Sequence, residues 1–205
     1  MAPRARLLAD ATLTIRPANE ATWDDLQKIL SATAPANCQC QRYKMQPKEC
    51  LVSFPAEERA DRLRVQTDPG AADAPTTTGL VAYLDDEPVG WCAVEPRTAY
   101  VSLVRGGRVA WTGRDENRHD PDVWAVTCFV TRAGFRRRGI SRALARAAVD
   151  FARDNGAKAI EGYPLTSKNA VADELHVGFE STFAAAGFTE VSRPSVRRVV
   201  MRVDF

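Results

Sequence analysis

The stretch whose residue types point most directly to chemistry is Phe135–Leu144. Three consecutive arginines at 136–138 precede Gly139, between an apolar run at 123–130 and an amphipathic run at 141–155. The first N–H groups of a helix have no internal partners, and the helix dipole adds partial positive charge there. Gly139 allows close backbone approach or a positive φ, and the arginines raise the local potential. The segment therefore indicates a phosphate-binding turn.

Two elements must position this turn. The run at 123–130 is almost wholly apolar and predicts a buried strand. The run at 141–155 predicts a helix, because its apolar residues recur every three or four positions. Asn155 and Gly156 are typical of a helix end. Those apolar positions are Ile140, Ala143, Leu144, Ala147, Ala148 and Phe151.

The rest of the chain predicts a mixed α/β domain with an antiparallel-rich sheet around this strand–turn–helix unit. We expect one domain over residues 1–205, with a flexible N-terminus at 1–11 and an irregular loop at 34–54 that packs. Residues 96–122 form a long connection, and a loop of this length in a compact domain is usually functional or disordered. The other predicted elements are a strand at 12–17, a helix capped by Asn19, a helix from Pro55, a hairpin of strands 79–84 and 89–94, a strand at 157–163, a short helix within 176–186, and strands at 189–193 and 197–205.

Composition sets the class of protein. The 205 residues are 45% hydrophobic and 26% charged, as in an ordinary soluble globular protein. The net charge of +2 argues against a general nucleic-acid binder. No run approaches the roughly 18 apolar residues of a membrane span, and the N-terminal apolar patch is too short for a secretory signal. We therefore expect a cytoplasmic location, no membrane and no nucleic-acid partner.

The five cysteines favour reduced thiols over a metal site. Cys92 and Cys128 lie in apolar runs and read as small buried hydrophobic residues. Cys38, Cys40 and Cys50 include a C-x-C spacing, and the chain has only two histidines, which is a poor match to zinc ligand patterns. We expect no metal.

With these motifs in order, the chain resembles the GNAT superfamily of N-acetyltransferases. The family motif Q/R-x-x-G-x-G/A is filled by residues 136–141 except at its last place, which is Ser141. The hairpin ending in Pro88–Trp91 also fits, and Phe183–Phe188 is similar to the family's Y-x-x-x-G-F. The resemblance implies the GNAT fold, a mixed, mostly antiparallel sheet of about seven strands flanked by about four helices.

The resemblance also implies a cofactor site for acetyl-CoA. In the family, main-chain groups of the motif bind the pyrophosphate, and the end of the preceding strand pairs with the pantetheine arm. Ser141 is small enough to preserve close approach, and its hydroxyl can add a phosphate hydrogen bond. The cofactor-binding residues predicted in this way are Phe129, Val130, Thr131, Arg136, Arg137, Arg138, Gly139, Ile140 and Ser141.

The catalytic groups depart from the family pattern. Phe183 stands where the family often has a tyrosine that protonates the leaving thiolate, and the strand before the motif has no carboxylate after Asp122. Glu161 is the first candidate base, and Tyr163, on the same strand face, is a candidate acid. Glu95, at a strand end, is a further candidate. Each also fits an ordinary role, as a surface carboxylate, a packed aromatic and a solvated strand end.

The function expected is direct acetyl transfer from acetyl-CoA to a primary amine of a small molecule or a peptide. Because of Phe183, a non-catalytic acyl-CoA-binding or sensing module is the alternative. The oligomeric state stays open, with a homodimer among the options. The acceptor is not identified; segment 38–45 is a candidate cover for its pocket. Aromatic residues that can line it, or simply pack, are Trp91, Tyr100, Trp111 and Trp124.

Overall fold

The computed structural model describes residues 11–31, 37–166 and 170–205. All but the last residue of the expected flexible N-terminus, 1–11, lies outside these ranges. Among the described residues, no helix is both long enough and apolar enough to cross a membrane.

The strands form one seven-stranded sheet in the order β1-β2-β3-β4-β5-β7-β6. Only β4 and β5 pair in parallel, and all other neighbours are antiparallel. The prediction of a mixed, mostly antiparallel sheet of about seven strands is thus confirmed. The strands are β1 (Leu13–Pro17), β2 (Leu80–Leu84), β3 (Glu87–Pro96), β4 (Val123–Thr131), β5 (Ala159–Gly162), β6 (Thr189–Ser195) and β7 (Arg198–Asp204).

Six α-helices accompany the sheet in the described part of the chain. The four predicted helices are present, and the surplus consists of two short helices, α3 and α4, inside the connection 96–122 that was expected to be a loop. Leu103, Ala110 and Trp111 are buried there against the sheet, which gives the connection an apolar face. The helices are α1 (Trp23–Leu30), α2 (Ala56–Thr67), α3 (Val101–Gly106), α4 (Arg108–Trp111), α5 (Ile140–Asp154) and α6 (Glu180–Ala184).

The cap of α1 differs from the prediction. Thr22, not Asn19, is the N-cap, and its hydroxyl accepts a hydrogen bond from Asp25 N at 3.2 Å. Asn19 lies in a short 3₁₀ turn, where its buried amide donates to Ala71 O at 3.0 Å. Asn19 therefore ties the first helix region to the loop before β2 instead of starting the helix.

The two sheet faces have different cores. On one face α5 buries Leu144 and Ala148 against Ile160 of β5. On the other, α1, α3, α4 and residues 37–50 cover the sheet, with Trp91 and Tyr100 in its core. Side chains alternate between the faces along each strand, so Glu161 and Ile160 point to opposite sides. We call the face of the sheet against which α5 does not pack the opposite face.

Candidate active site

A cleft opens where β4 and β5 separate. The last paired residues are Val126 and Gly162, after which β4 continues to Thr131 without β5 beside it. The cleft has a volume of about 630 Å³ and is lined by residues of the basic turn and by Phe179, just before α6. Every predicted cofactor residue except Arg138 lines it. The cleft therefore joins the predicted phosphate turn to the free edge of the central strand.

The turn has the geometry of an anion-binding backbone. Arg137 and Gly139 have φ of 62° and 79°, in the left-handed region, and Gly139 is the residue just before α5. A Cβ at Gly139 would meet nothing within 4 Å, so the positive φ, and not lack of space, explains the glycine. The N–H groups of Ile140 and Ser141 belong to the first helical turn and lack intrahelical acceptors. Anions bind well at such a helix start.

Arg138 is the predicted cofactor residue that does not line the cleft. Its guanidinium donates to Gly134 O at 3.0 Å and stacks on the Phe135 ring at 5.2 Å. Arg136 and Arg137 line the cleft and are exposed. Of the three consecutive arginines, Arg138 thus braces the loop, while Arg136, which donates from Nε to Thr131 O at 3.3 Å, and Arg137 line the cleft.

A β-bulge marks the point where the strands separate. Ala93 pairs with Cys128 and Val94 pairs with Val126, so Thr127 is an extra residue in β4. A bulge leaves its extra residue outside the ladder and is common beside active sites. A peptide N–H released there can stabilise a negatively charged oxygen. Phe129 and Val130, which line the cleft, follow the bulge directly.

Phe183 is a packing residue. Its fully buried ring makes edge-to-face contacts with Phe129 at 5.6 Å and with Phe188 at 5.0 Å. A Cβ at Gly162 would lie 2.0 Å from this ring, so the ring occupies the space at the end of β5. Phe183 has no proton to give, and it helps to hold the strands apart.

Glu161, the first candidate base, lies on the opposite face inside a set of arginines. Its carboxylate accepts from Arg114 Nη1 at 3.1 Å and from Arg202 Nη1 at 2.7 Å, and Arg97 Nη1 is 3.2 Å away. Burial raises the pKa of Glu161, but Arg114, Arg97 and Arg202 outweigh it, and the net pKa lies below the ordinary value. A fully buried carboxylate held in this way is a poor proton acceptor. The structure therefore argues for a stabilising role.

Tyr163 belongs to the same network. Its hydroxyl donates to Glu161 Oε2 at 3.0 Å, and burial raises the pKa of Tyr163 well above its usual value, with the Glu161 charge adding to the effect. The Tyr163 hydroxyl proton is thus held in its hydrogen bond to Glu161. This contact argues against Tyr163 as the acid that protonates a thiolate.

Glu95 is also paired and buried, not solvated at a strand end. Lys44 Nζ lies 2.6 Å from its carboxylate, and the Thr78 hydroxyl donates to the same oxygen. Lys44 comes from the segment 38–45, which packs on the opposite face through Cys40 and Tyr43. The four aromatic residues considered for an acceptor pocket are buried in the cores: Trp91, Tyr100, Trp111 and Trp124.

The cysteines behave largely as predicted. Cys92 and Cys128 are buried in β3 and β4. Cys40 is buried beside them and accepts a hydrogen bond from Trp91 Nε1 at 3.0 Å. No group of three or more His, Cys, Asp or Glu side chains that can hold a metal occurs in the described ranges.

His176 is not among the predicted site residues, yet it lines the cleft with Leu175 and Gly178. It lies at the end of a 3₁₀ helix, Ala172–Val177, that packs beside β4. Its ring centroid is 6.2 Å from that of Tyr43, which comes from the covering segment. These residues are more than a hundred positions apart, so no local pattern brings them together. The nearby Phe183–Phe188 motif was the one hint that this region borders the site.

The fold agrees with comparisons to known proteins. The family model described as Acetyltransferase (GNAT) family matches residues 23–179, and the chain belongs to this family. It is thus an N-acetyltransferase whose acetyl donor is acetyl-CoA. No curated protein sequence matches the chain.

Several solved structures share the fold at low sequence identity. The PaiA N-acetyltransferase from Thermoplasma acidophilum in complex with coenzyme A is 13% identical, with a TM-score of 0.54, over 95% of this chain and 99% of that one. The GNAT domain of S. lividans PAT is 17% identical, with a TM-score of 0.54, over 97% and 93%. The ribosomal-protein-alanine N-acetyltransferase from Brucella melitensis is 17% identical, with a TM-score of 0.53, over 94% and 99%.

Proposed function

We propose that this N-acetyltransferase transfers the acetyl group of acetyl-CoA directly to a primary amine of a small molecule or a peptide. The observation that carries the proposal is the single cleft that connects the basic turn before α5 to the β4 residues after the Thr127 bulge. The turn suits a pyrophosphate, and the unpaired edge of β4 suits the pantetheine arm, whose amides can pair like an added strand. The coenzyme A complex of the PaiA neighbour supports coenzyme A as the kind of ligand that this fold binds. The cytoplasmic location expected from the sequence remains part of the proposal.

The thioester would then lie near the bulge. A main-chain N–H that leaves the β3–β4 ladder at Thr127 would stabilise the oxyanion of the tetrahedral intermediate. Direct transfer needs no enzyme nucleophile, and Cys128, the nearest thiol on β4, has a pKa raised well above its usual value by the adjacent Cys40 thiol and by burial. A buried protonated thiol is a weak nucleophile, which favours direct attack by the amine.

His176 is the proposed catalytic acid–base. Its half-buried imidazole lines the cleft, and imidazole is the side chain that enzymes use most often for proton transfer. In the proposed step the amine nitrogen forms a bond to the thioester carbonyl carbon and the C–S bond breaks. The amine proton passes to His176, which then protonates the coenzyme A thiolate. This route needs neither a tyrosine at position 183 nor a free Glu161.

The test is thiol release from acetyl-CoA across a panel of primary amines, including amino acids, peptides, polyamines and aminoglycosides. The expected result is turnover with at least one class, and loss of about 100-fold in kcat for His176→Gln with coenzyme A affinity unchanged. His119→Gln is the matched control, because His119 is exposed outside the cleft. Tight coenzyme A binding with no turnover for any amine would favour the acyl-CoA-sensing alternative.

A further inference from the structure

A second cationic cluster lies on the opposite face, next to the cleft. Arg198, at the start of β7, shares this face with Val200 and Arg202 by strand alternation. Its guanidinium donates to Tyr163 O at 2.7 Å. Its backbone forms an isolated β-bridge with Leu165, and Leu165 forms a second β-bridge with Phe179, which lines the cleft. The cluster is therefore anchored to the end of β5, where the strands separate.

Tyr43 links this cluster to the cleft. Burial raises the pKa of the Tyr43 hydroxyl, whereas the neighbouring Arg198 and Arg42 charges oppose that rise. The Arg198 side chain therefore lies within interaction distance of this hydroxyl. The Tyr43 ring also neighbours His176, which lines the cleft. Tyr43 thus connects Arg198 to a residue of the cleft lining.

Arg198 differs from the other arginines of this face. Arg97, Arg114 and Arg202 all pair with Glu161. Among the side chains that the structure describes, no carboxylate lies within ion-pair distance of Arg198, and its buried Nε has no hydrogen-bond partner. A buried polar donor without a partner is rare in folded proteins and calls for an explanation. A ligand that bears a negative charge would supply the missing acceptor.

We infer that Arg198, with Tyr43 beside it, binds a carboxylate of the acceptor, so that the acceptor is an amine that also carries a carboxylate. The inference rests on the proposed function and names its substrate class. An arginine fork matches a planar carboxylate well. The Tyr43 and His176 ring centroids are 6.2 Å apart, so an amine and a carboxylate a few bonds apart, as in an amino acid, can reach both.

The same charges disfavour other amines. A polyamine or an aminoglycoside would place further positive charge beside Arg198, without an acidic side chain of the described residues to receive it. The paired state of Glu161 and Glu95 removes the two buried carboxylates that might otherwise attract a cation on this face. Like charges that meet in a partly desolvated site cost several kcal/mol.

The experiment compares each acceptor amino acid with its primary amide, which keeps the amine and removes the negative charge. The expected kcat/KM is about 10- to 100-fold higher for the acid, as for a charge-assisted hydrogen bond. Assays are run at equal concentrations of the unprotonated amine, because the amide lowers the amine pKa. Equal or better use of the amides would overturn the inference.

The variants assign the effect to Arg198. Arg198→Gln should reduce the preference for the acid to about threefold or less, and Arg198→Lys should restore part of it. Arg105→Gln is the matched control, because Arg105 is exposed on α3. Unchanged coenzyme A affinity shows that each variant is folded. An acid preference that survives in a folded Arg198→Gln protein would contradict the assignment.

A binding arm separates this inference from the proposed function. The coenzyme A complex is titrated with N-acetyl amino acids and with their amides, which requires no turnover. Tighter binding of the acids, lost in Arg198→Gln, supports the carboxylate site even if no amine is acetylated and the proposed function fails. Equal binding of acids and amides overturns the site even if turnover is observed.

Discussion

The cleft and the opposite face use charge in different ways. In the cleft, Arg136 and Arg137 are exposed and the turn presents backbone N–H groups, so the positive potential is available to a ligand. On the opposite face, the buried charges of Glu161 and Glu95 are satisfied by other parts of the chain. Charged groups that have no ion-pair partner within the protein are thus available to bind a ligand, whereas buried charged groups that are paired within the protein stabilise the fold. By this criterion Arg198 belongs with the cleft, although it lies on the opposite face.

The largest expected effect lies in the paired network. Glu161→Gln removes the buried carboxylate that Arg97, Arg114 and Arg202 share, so that the more exposed Glu116 remains as their shared partner, and removing one partner of a buried ion pair costs about 3–5 kcal/mol. Denaturant unfolding measures the loss in free energy of unfolding. Glu190→Gln, which removes an exposed carboxylate paired with Arg193, is the control and should change stability by less than about 1 kcal/mol. A Glu161→Gln protein that is as stable as the wild-type protein would contradict a stabilising role for this network.

The same network predicts an acid dependence. The pKa of Glu161 is lowered in the folded state, so its contribution is fully present above its unfolded value of about 4.3 and is lost as the pH falls through the lower folded value. Free energies of unfolding measured from pH 6 downwards should therefore fall below about pH 4.5. In Glu161→Gln this part of the slope should be absent. An identical acid slope in both proteins would show that Glu161 is not the group responsible.

Two glycines with the same backbone conformation provide a matched test of the anion-binding turn. Gly139 and Gly156 flank α5, both with φ of 79° and nothing within 4 Å of an added Cβ. Alanine at either position should cost about 1–2 kcal/mol of stability, because a left-handed residue with a Cβ is strained. Only Gly139→Ala should also weaken coenzyme A binding, since it distorts the anion-binding turn. Isothermal titration with matched unfolding curves measures both effects, and equal losses of affinity would refute the assignment of the turn.

The smallest expected effect is a difference in coenzyme A affinity between variants of the neighbouring residues Arg137 and Arg138. Arg137→Gln should weaken coenzyme A binding about 3- to 10-fold at low salt, and less as screening increases. Arg138→Gln should have less effect, because Arg138 braces Gly134 and Phe135 outside the cleft lining. Titrations at two ionic strengths check both statements. A larger loss for Arg138 than for Arg137 would reverse the roles that the geometry gives them.

The cofactor-binding part of the cleft could be predicted from the sequence, because its residues are close together in the chain. The basic turn, Gly139 and the helix after it are contiguous, and their pattern carries its own physical meaning. The roles of Glu161 and Glu95 could not be found in this way, because their partners are distant. Arg114 and Arg202 lie 47 and 41 positions from Glu161, and only the fold brings them to one carboxylate. The helices α3 and α4 were missed for a related reason, since each is too short to show a clear period.

The strand order has a consequence for synthesis of the chain. Strand β7 lies between β5 and β6, so β6 has no sheet partner, and β5 pairs with β4 alone, until the residues of β7 have been translated. Arg202 is on that strand, and Glu161 therefore lacks this one of its guanidinium partners until then. The completion of the sheet and the pairing of Glu161 with Arg202 therefore depend on the same strand. We expect truncation before Arg198 to leave the preceding residues unable to form the native sheet.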